Sequence, residues 1–112
     1  MTSELPEEND LKTILELDSD IHNPARMSVL MFLLPRGRAT FTLIQKCLNL
    51  TSGNLSSHIK KLQSKGLVEV KKTFIELKPT TEVYLSPKGR NSIIEYATNL
   101  SNILQGMLEE IR

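Results

Sequence analysis

The sequence has a single cysteine, which excludes an internal disulfide and suits a reducing compartment. No apolar run approaches the roughly 20 residues of a membrane-spanning helix. The first ten residues are acidic where a secretion signal would be basic and then apolar, so the chain is expected to stay in the cytoplasm. A glycine-rich phosphate loop, metal-ligand spacing and a nucleophile paired with a base are all missing, so no catalysis and no cofactor or metal are expected. Repeats, low-complexity tracts and Gly/Ser linkers are missing too. Residues 1–112 are therefore read as one domain whose elements pack on one another.

What is present is ordinary in amount and uneven in placement. A hydrophobic fraction of 39% with 24% charged residues is that of a chain that folds. The net charge of +1 conceals three zones. Residues 1–35 carry seven acids against two bases, and residues 36–90 carry eleven bases against three acids. Residues 91–112 carry three acids against one base. A basic middle between acidic ends predicts that the middle meets a polyanion while the ends do something else.

Periodicity and punctuation divide the chain. A first helix is expected from Asp10 to about Asp20 or Ile21, with Leu11, Ile14, Leu17 and Ile21 near one face. Asn23-Pro24 starts a second over Ala25–Leu34, apolar on most sides and expected to be the most buried. Pro35-Arg36-Gly37 stops it, and Thr40 caps a third helix with Phe41, Leu43, Ile44 and Leu48, among which Cys47 is expected to pack. Thr51 caps a fourth, Ser52–Lys65, whose stripe is Leu55, Ile59 and Leu62. Gly66 in a left-handed conformation, with Leu67 folding back on Leu62, would end it in a Schellman stop. Residues 67–71 and 82–86 read as strands, with Lys78-Pro79-Thr80-Thr81 as an exposed loop between them. Ser86-Pro87 opens a last helix to Arg112. This order makes an α+β winged helix-turn-helix with an N-terminal helix and a long C-terminal dimerisation helix, the helix-turn-helix being 40–65 and the wing 67–86.

With the apolar stripe of the fourth helix turned inward, Gly53, Ser57, Lys60 and Ser64 face outward, flanked by Asn54, Ser56 and Lys61. Such a face, without an acid, can enter a major groove and donate to phosphates and base edges. Gly53 near the helix start lets the backbone come close. Lys71, Lys72 and Lys78 in the hairpin offer a second basic element for the neighbouring minor groove or backbone. The expected DNA contacts are Thr51, Ser52, Gly53, Asn54, Ser56, Ser57, Lys60, Lys61, Lys71, Lys72, Lys78 and Thr80. His58, at the edge of the stripe, is read as partly buried or phosphate-contacting, and His22 as a loop residue with local hydrogen bonds.

Leu50-Thr51-Ser52-Gly53-Asn54-Leu55-Ser56-Ser57-His58-Ile59-Lys60-Lys61-Leu62, followed by Gly66-Leu67-Val68, resembles the recognition helix and first wing strand of MarR/ArsR-type winged-helix regulators. More narrowly, with His22-Asn23-Pro24-Ala25-Arg26, Lys78-Pro79-Thr80 and Leu85-Ser86-Pro87-Lys88-Gly89-Arg90, it is similar to small, largely archaeal, winged-helix DNA-binding proteins over residues 20–95. The resemblance implies a homodimer on a pseudo-palindromic site of double-stranded DNA, the fourth helix in the major groove and the wing beside it. ArsR-type relatives sense metals through paired cysteines, which one cysteine and two distant histidines do not match. MarR-type relatives bind small effectors between the dimer helices and the DNA-binding lobe, and no effector is legible in these residues.

In the last helix, Ile93, Ala97, Leu100, Leu104, Met107 and Ile111 repeat at heptad spacing, widened by Tyr96, Ile103 and Leu108. The expected dimer interface is that seam together with Leu11 and Ile14 of the first helix, setting two recognition helices about 34 Å apart. A protein-interaction or architectural winged helix is the competing reading, and the basic middle argues against it.

Overall fold

Small local devices fix where each element begins and ends. The computed structural model describes residues 6–112, with side chains from Leu11 onward, so the acidic residues Met1–Asp10 lie outside the described side chains. The chain forms α1 (Pro6–Leu15), α2 (Pro24–Leu33), β1 (Arg38–Thr40), α3 (Phe41–Leu48), α4 (Ser52–Ser64), β2 (Val68–Ile75), β3 (Lys78–Leu85) and α5 (Pro87–Ile111). The Asn23 side chain accepts the Arg26 amide at 2.9 Å and places Pro24 at the first position of α2. Thr40 and Thr51 cap α3 and α4 the same way, each accepting an amide three residues on at 3.1 Å. Gly66, at φ 74°, donates to the Gln63 carbonyl, and Leu67 donates to the Leu62 carbonyl, both at 3.0 Å. That is the expected Schellman stop.

The core lies where α2, α3 and α4 meet the sheet and the start of α5. Ile21, Leu30, Leu33, Ile44, Leu55, Leu62, Val83 and Ile93 are fully buried there. Each such side chain contributes about 1.5–3 kcal/mol by leaving water, against the conformational entropy lost in ordering it. The stripe Leu55, Ile59 and Leu62 thereby fixes which face of α4 turns outward.

The sheet is antiparallel in the order β1-β3-β2. β2 and β3 pair from Val68 opposite Leu85 to Ile75 opposite Lys78, and Ala39 of β1 sits opposite Val83. Alternation puts Val68, Val70, Lys72 and Phe74 on one face, and Glu69, Lys71, Thr73 and Ile75 on the other.

Several expectations are corrected. The first helix ends at Leu15, not Asp20. Glu16 and Leu17 donate to carbonyls three residues back, and the Asp18 carboxylate accepts the Asp20 amide at 2.8 Å, a turn that competes with helix. The turn leads Ile21 into the core. β1 was not anticipated, because three residues between a stop and a cap leave no period to read. The expected loop Lys78–Thr81 is strand, and the hairpin turns instead at Glu76-Leu77, with φ of 52° and 69°. Those signs are what a two-residue type I′ turn requires and Asn-Gly normally supplies. In Glu and Leu they cost about 1 kcal/mol or more each. Cys47 is exposed rather than packed.

One corner joins α4, the wing and α5. The Ser86 hydroxyl donates to the Gly66 carbonyl at 2.6 Å and accepts the Gly89 amide at 2.9 Å, capping α5 while holding the end of α4. Gly89 is needed there: a Cβ would lie 1.9 Å from the Leu67 carbonyl oxygen. Beyond this corner α5 runs on for 25 residues, about 37 Å. The radius of gyration is 17.2 Å, where a compact chain of this length has about 13 Å.

Candidate nucleic-acid interface

Of the residues assigned to DNA on α4 and its cap, Thr51, Ser52, Gly53, Asn54, Ser57, Lys60 and Lys61 are exposed and Ser56 is half-buried. The Thr51 hydroxyl takes the Asn54 amide, while the first turn leaves the Ser52 and Gly53 amides without helical carbonyls. Outward-pointing amides at a helix start attract phosphate. A Cβ at Gly53 would meet nothing within 4 Å, and its φ is not left-handed, so the protein's own packing does not require glycine there.

The wing divides the remaining residues. Lys72 shares a face with the α4 side of the sheet, where Ser56, Lys60, Gln63, Lys72 and Thr81 line a groove of about 330 Å³ floored by Ile59 and Val70. Lys71, Lys78 and Thr80 are on the opposite face. Lys71 stands across from Glu82, and its Nζ is 4.8 Å from the centre of the Tyr84 ring. The Tyr84 hydroxyl donates to Glu82 at 3.2 Å and accepts from Arg38 at 3.3 Å. The hydrogen bond to Tyr84, followed by the electrostatic influence of Tyr84 and Glu82, pushes the Arg38 guanidinium up from its usual range. The structure therefore brings Ser56, Lys60 and Lys72 together and sets Lys71 into a separate polar cluster.

Lys61 differs from Lys60 in having an acid beside it. The Asp20 carboxylate lies 3.7 Å from the Lys61 Nζ and 3.8 Å from the Lys65 Nζ. Arg26 holds this turn in place, its Nε donating to the Asp20 carbonyl at 2.6 Å and its Nη1 lying 3.4 Å from the His58 Nδ1. His22 bonds at long range rather than locally: its Nδ1 is 2.7 Å from the hydroxyl of Tyr96 on α5. Burial pushes the Tyr96 phenol up from its usual range. Sequence reasoning missed Gln63, Thr81, Asp20 and Arg26. Gln63 was within reach, three residues after Lys60 on the same helical face, whereas Asp20 comes from a turn that helical periodicity had obscured.

The residues assigned to the dimer interface also divide. Ile93 is a correction: it is fully buried in the domain's own core. Ile14, Ala97, Leu100 and Met107 are half-buried, and Leu11, Leu104 and Ile111 are exposed. α1 lies against α5 of the same chain. Between α2 and α5 runs an open groove of about 310 Å³, lined by Met27, Met31, Ala97, Leu100, Leu104 and Leu108. Leu104 and Leu108 are each 48% exposed and Ile111 80%.

Helix-turn-helix, three-stranded wing and long terminal helix together define a winged-helix DNA-binding protein, and the chain belongs to the winged helix DNA-binding domain family, whose model matches residues 25–104. It is 37% identical to the transcriptional regulator homologue of Pyrococcus horikoshii OT3, with a TM-score of 0.82 over 88% of this chain and 97% of that one. It is also 37% identical over 71 residues to an uncharacterized protein of Methanocaldococcus jannaschii, covering 63% of this chain and 77% of the relative. BpsR of Bordetella bronchiseptica, whose DNA binding is regulated by 6-hydroxynicotinic acid, shares the fold at 18% identity, with a TM-score of 0.66 over 88% of this chain and 75% of that one. The resemblance to winged-helix DNA-binding proteins read from the sequence therefore stands. Among the described residues no helix is long and apolar enough to cross a membrane, and no group of three or more His, Cys, Asp or Glu could hold a metal ion.

Proposed function

We propose that the protein is a homodimeric, sequence-specific regulator of transcription that acts on double-stranded DNA in the cytoplasm and carries no catalytic activity. α4 enters the major groove, and the wing lies on the adjacent minor groove or backbone. The observation that carries this reading is the groove in which Lys60 of α4 and Lys72 of the wing stand together beside Ser56 and Gln63. Two cations from separate elements on one surface track a phosphate backbone, and the small polar groups between them suit base edges. Ser57 and Asn54 extend that edge-reading set, and the Ser52 and Gly53 amides add a phosphate site. On this reading Lys71, Lys78 and Thr80, on the other face of the hairpin, meet the phosphate backbone.

The dimer rests on the open face of α5. Leu104, Leu108 and Ile111 leave an apolar stripe open at the end of α5, and Leu11 of α1 is exposed as well. α1 and α5 are accordingly the dimerisation helices, and residues 40–85 the DNA-binding lobe. The test is fluorescence anisotropy of the full chain on a duplex from its own upstream region and on a scrambled duplex, across a salt series. Preference for the upstream duplex with a steep salt dependence is expected. Equal binding to both would make the protein architectural, and no binding at low salt would leave a protein-interaction module.

A further inference from the structure

The wing ends in an apolar tip that neither the fold nor the basic groove uses. Phe74 is 72% exposed, Ile75 43% and Leu77 93%. Phe74 and Ile75 thus project from opposite faces of the hairpin end and Leu77 from its turn, with Lys72 beside Phe74 and Lys78 opposite Ile75. The turn that presents them, Glu76-Leu77, keeps two non-glycine residues at positive φ, and strain of that kind concentrates where a side chain must be held for function.

We propose that this tip is an apolar wedge that enters the minor groove and bends the DNA, an inference that rests on the DNA-binding reading above. Its occupant follows from continuity. Phe74 is two residues beyond Lys72 on the same face of β2, so the tip continues the surface that Lys60 and Lys72 share. From Lys72 to the turn the hairpin reaches about 13 Å farther, comparable with the half-turn of about 17 Å between a major groove and the next minor groove. Apolar side chains at such a place unstack a base step and kink the duplex, leaving water as they do so. Lysines on both sides of the tip match the flanking phosphates better than they match the apolar surface of a protein partner. Glu76 is the group that opposes entry, and it restrains affinity. Selectivity then comes partly from steps that deform easily, at positions no side chain contacts.

The experiment uses the full chain and duplexes of about 30 base pairs labelled at both ends, so that energy transfer reads bending while anisotropy reads binding. The double variant Glu76→Asn/Leu77→Gly supplies the residues a type I′ turn favours, so the hairpin is kept and its thermal midpoint should hold or rise. The expected result is that the wild type bends the duplex, whereas the variant bends it less and binds about tenfold more weakly than Glu76→Asn alone. Glu76→Lys alone should tighten binding about threefold with the bend retained. Unchanged affinity and bend in the double variant would overturn the wedge and assign the tip to a protein contact, as would a wild type that binds without bending. Leu77→Lys that keeps both affinity and bend would also overturn it, because a cation would then suffice. A wild type that binds no duplex would instead bring down the DNA reading itself, and the anisotropy channel separates that failure from the others.

Discussion

α4 and α5 are both amphipathic, and they expose opposite kinds of face. In α4 the apolar stripe is covered within the domain, and what remains outside is hydroxyl, amide and ammonium. In α5 the first turns are covered through Ile93 and Tyr96, but Leu104, Leu108 and Ile111 stay open. A free face indicates the chemistry of whatever covers it: a polyanion for α4, another apolar surface for α5.

The change expected to have the largest effect strikes the covered start of α5. Gly89→Ala drives a Cβ into the Leu67 carbonyl, a backbone group that cannot step aside. A loss on the order of 3 kcal/mol or more is expected, read by urea denaturation, and wild-type stability would show that the corner yields. Next comes the open end of the same helix. Leu104→Glu with Leu108→Glu avoids the fully buried core, so the monomer should stay folded while sedimentation shifts from dimer to monomer. DNA affinity should then fall by about a hundredfold as the two half-sites uncouple. A persistent dimer would move the interface elsewhere.

Smaller effects test α4. Lys60→Ala or Lys72→Ala should weaken binding to every duplex about five- to tenfold and lower the salt slope by about 1. Lys61→Ala should cost less, because Asp20 already offsets that charge across a partly exposed pair of about 1 kcal/mol or less. Equal losses at Lys60 and Lys61 would mean that the Asp20 pairs open on DNA. The smallest effect is alkaline. The Tyr96 phenol is pushed up by burial, so the unfolded chain loses its proton first. The stability this contributes is complete below about pH 10 and is lost as pH rises through the folded value. Tyr96→Phe should flatten that part of the pH profile of the thermal midpoint.

Caps carry their instructions in a few adjacent residues, which is why Asn23-Pro24, Thr40, Thr51, Gly66-Leu67 and Ser86-Pro87 were legible from sequence and agree with the structure. The outward face of α4 was legible because 100° per residue converts spacing into direction. The hairpin tip was not, since Glu-Leu carries no turn signal and its conformation is imposed by the pairing of β2 with β3. Ile93 was misassigned because a heptad shows that a face is apolar without showing what covers it. The Asp20 pairs were invisible for a related reason: they depend on two elements meeting in space.

The double role of Ser86 has a mechanical consequence. Because one hydroxyl fastens the end of α4 to the start of α5, the corner acts as a welded joint and α5 as a lever arm of about 37 Å. A tilt of only 10° at one end of such an arm displaces the other by about 6 Å, a large fraction of the width of the groove being read. In the proposed dimer, held through the far end of α5, a small change of angle at this corner would therefore become a large change in the separation of the two α4 helices.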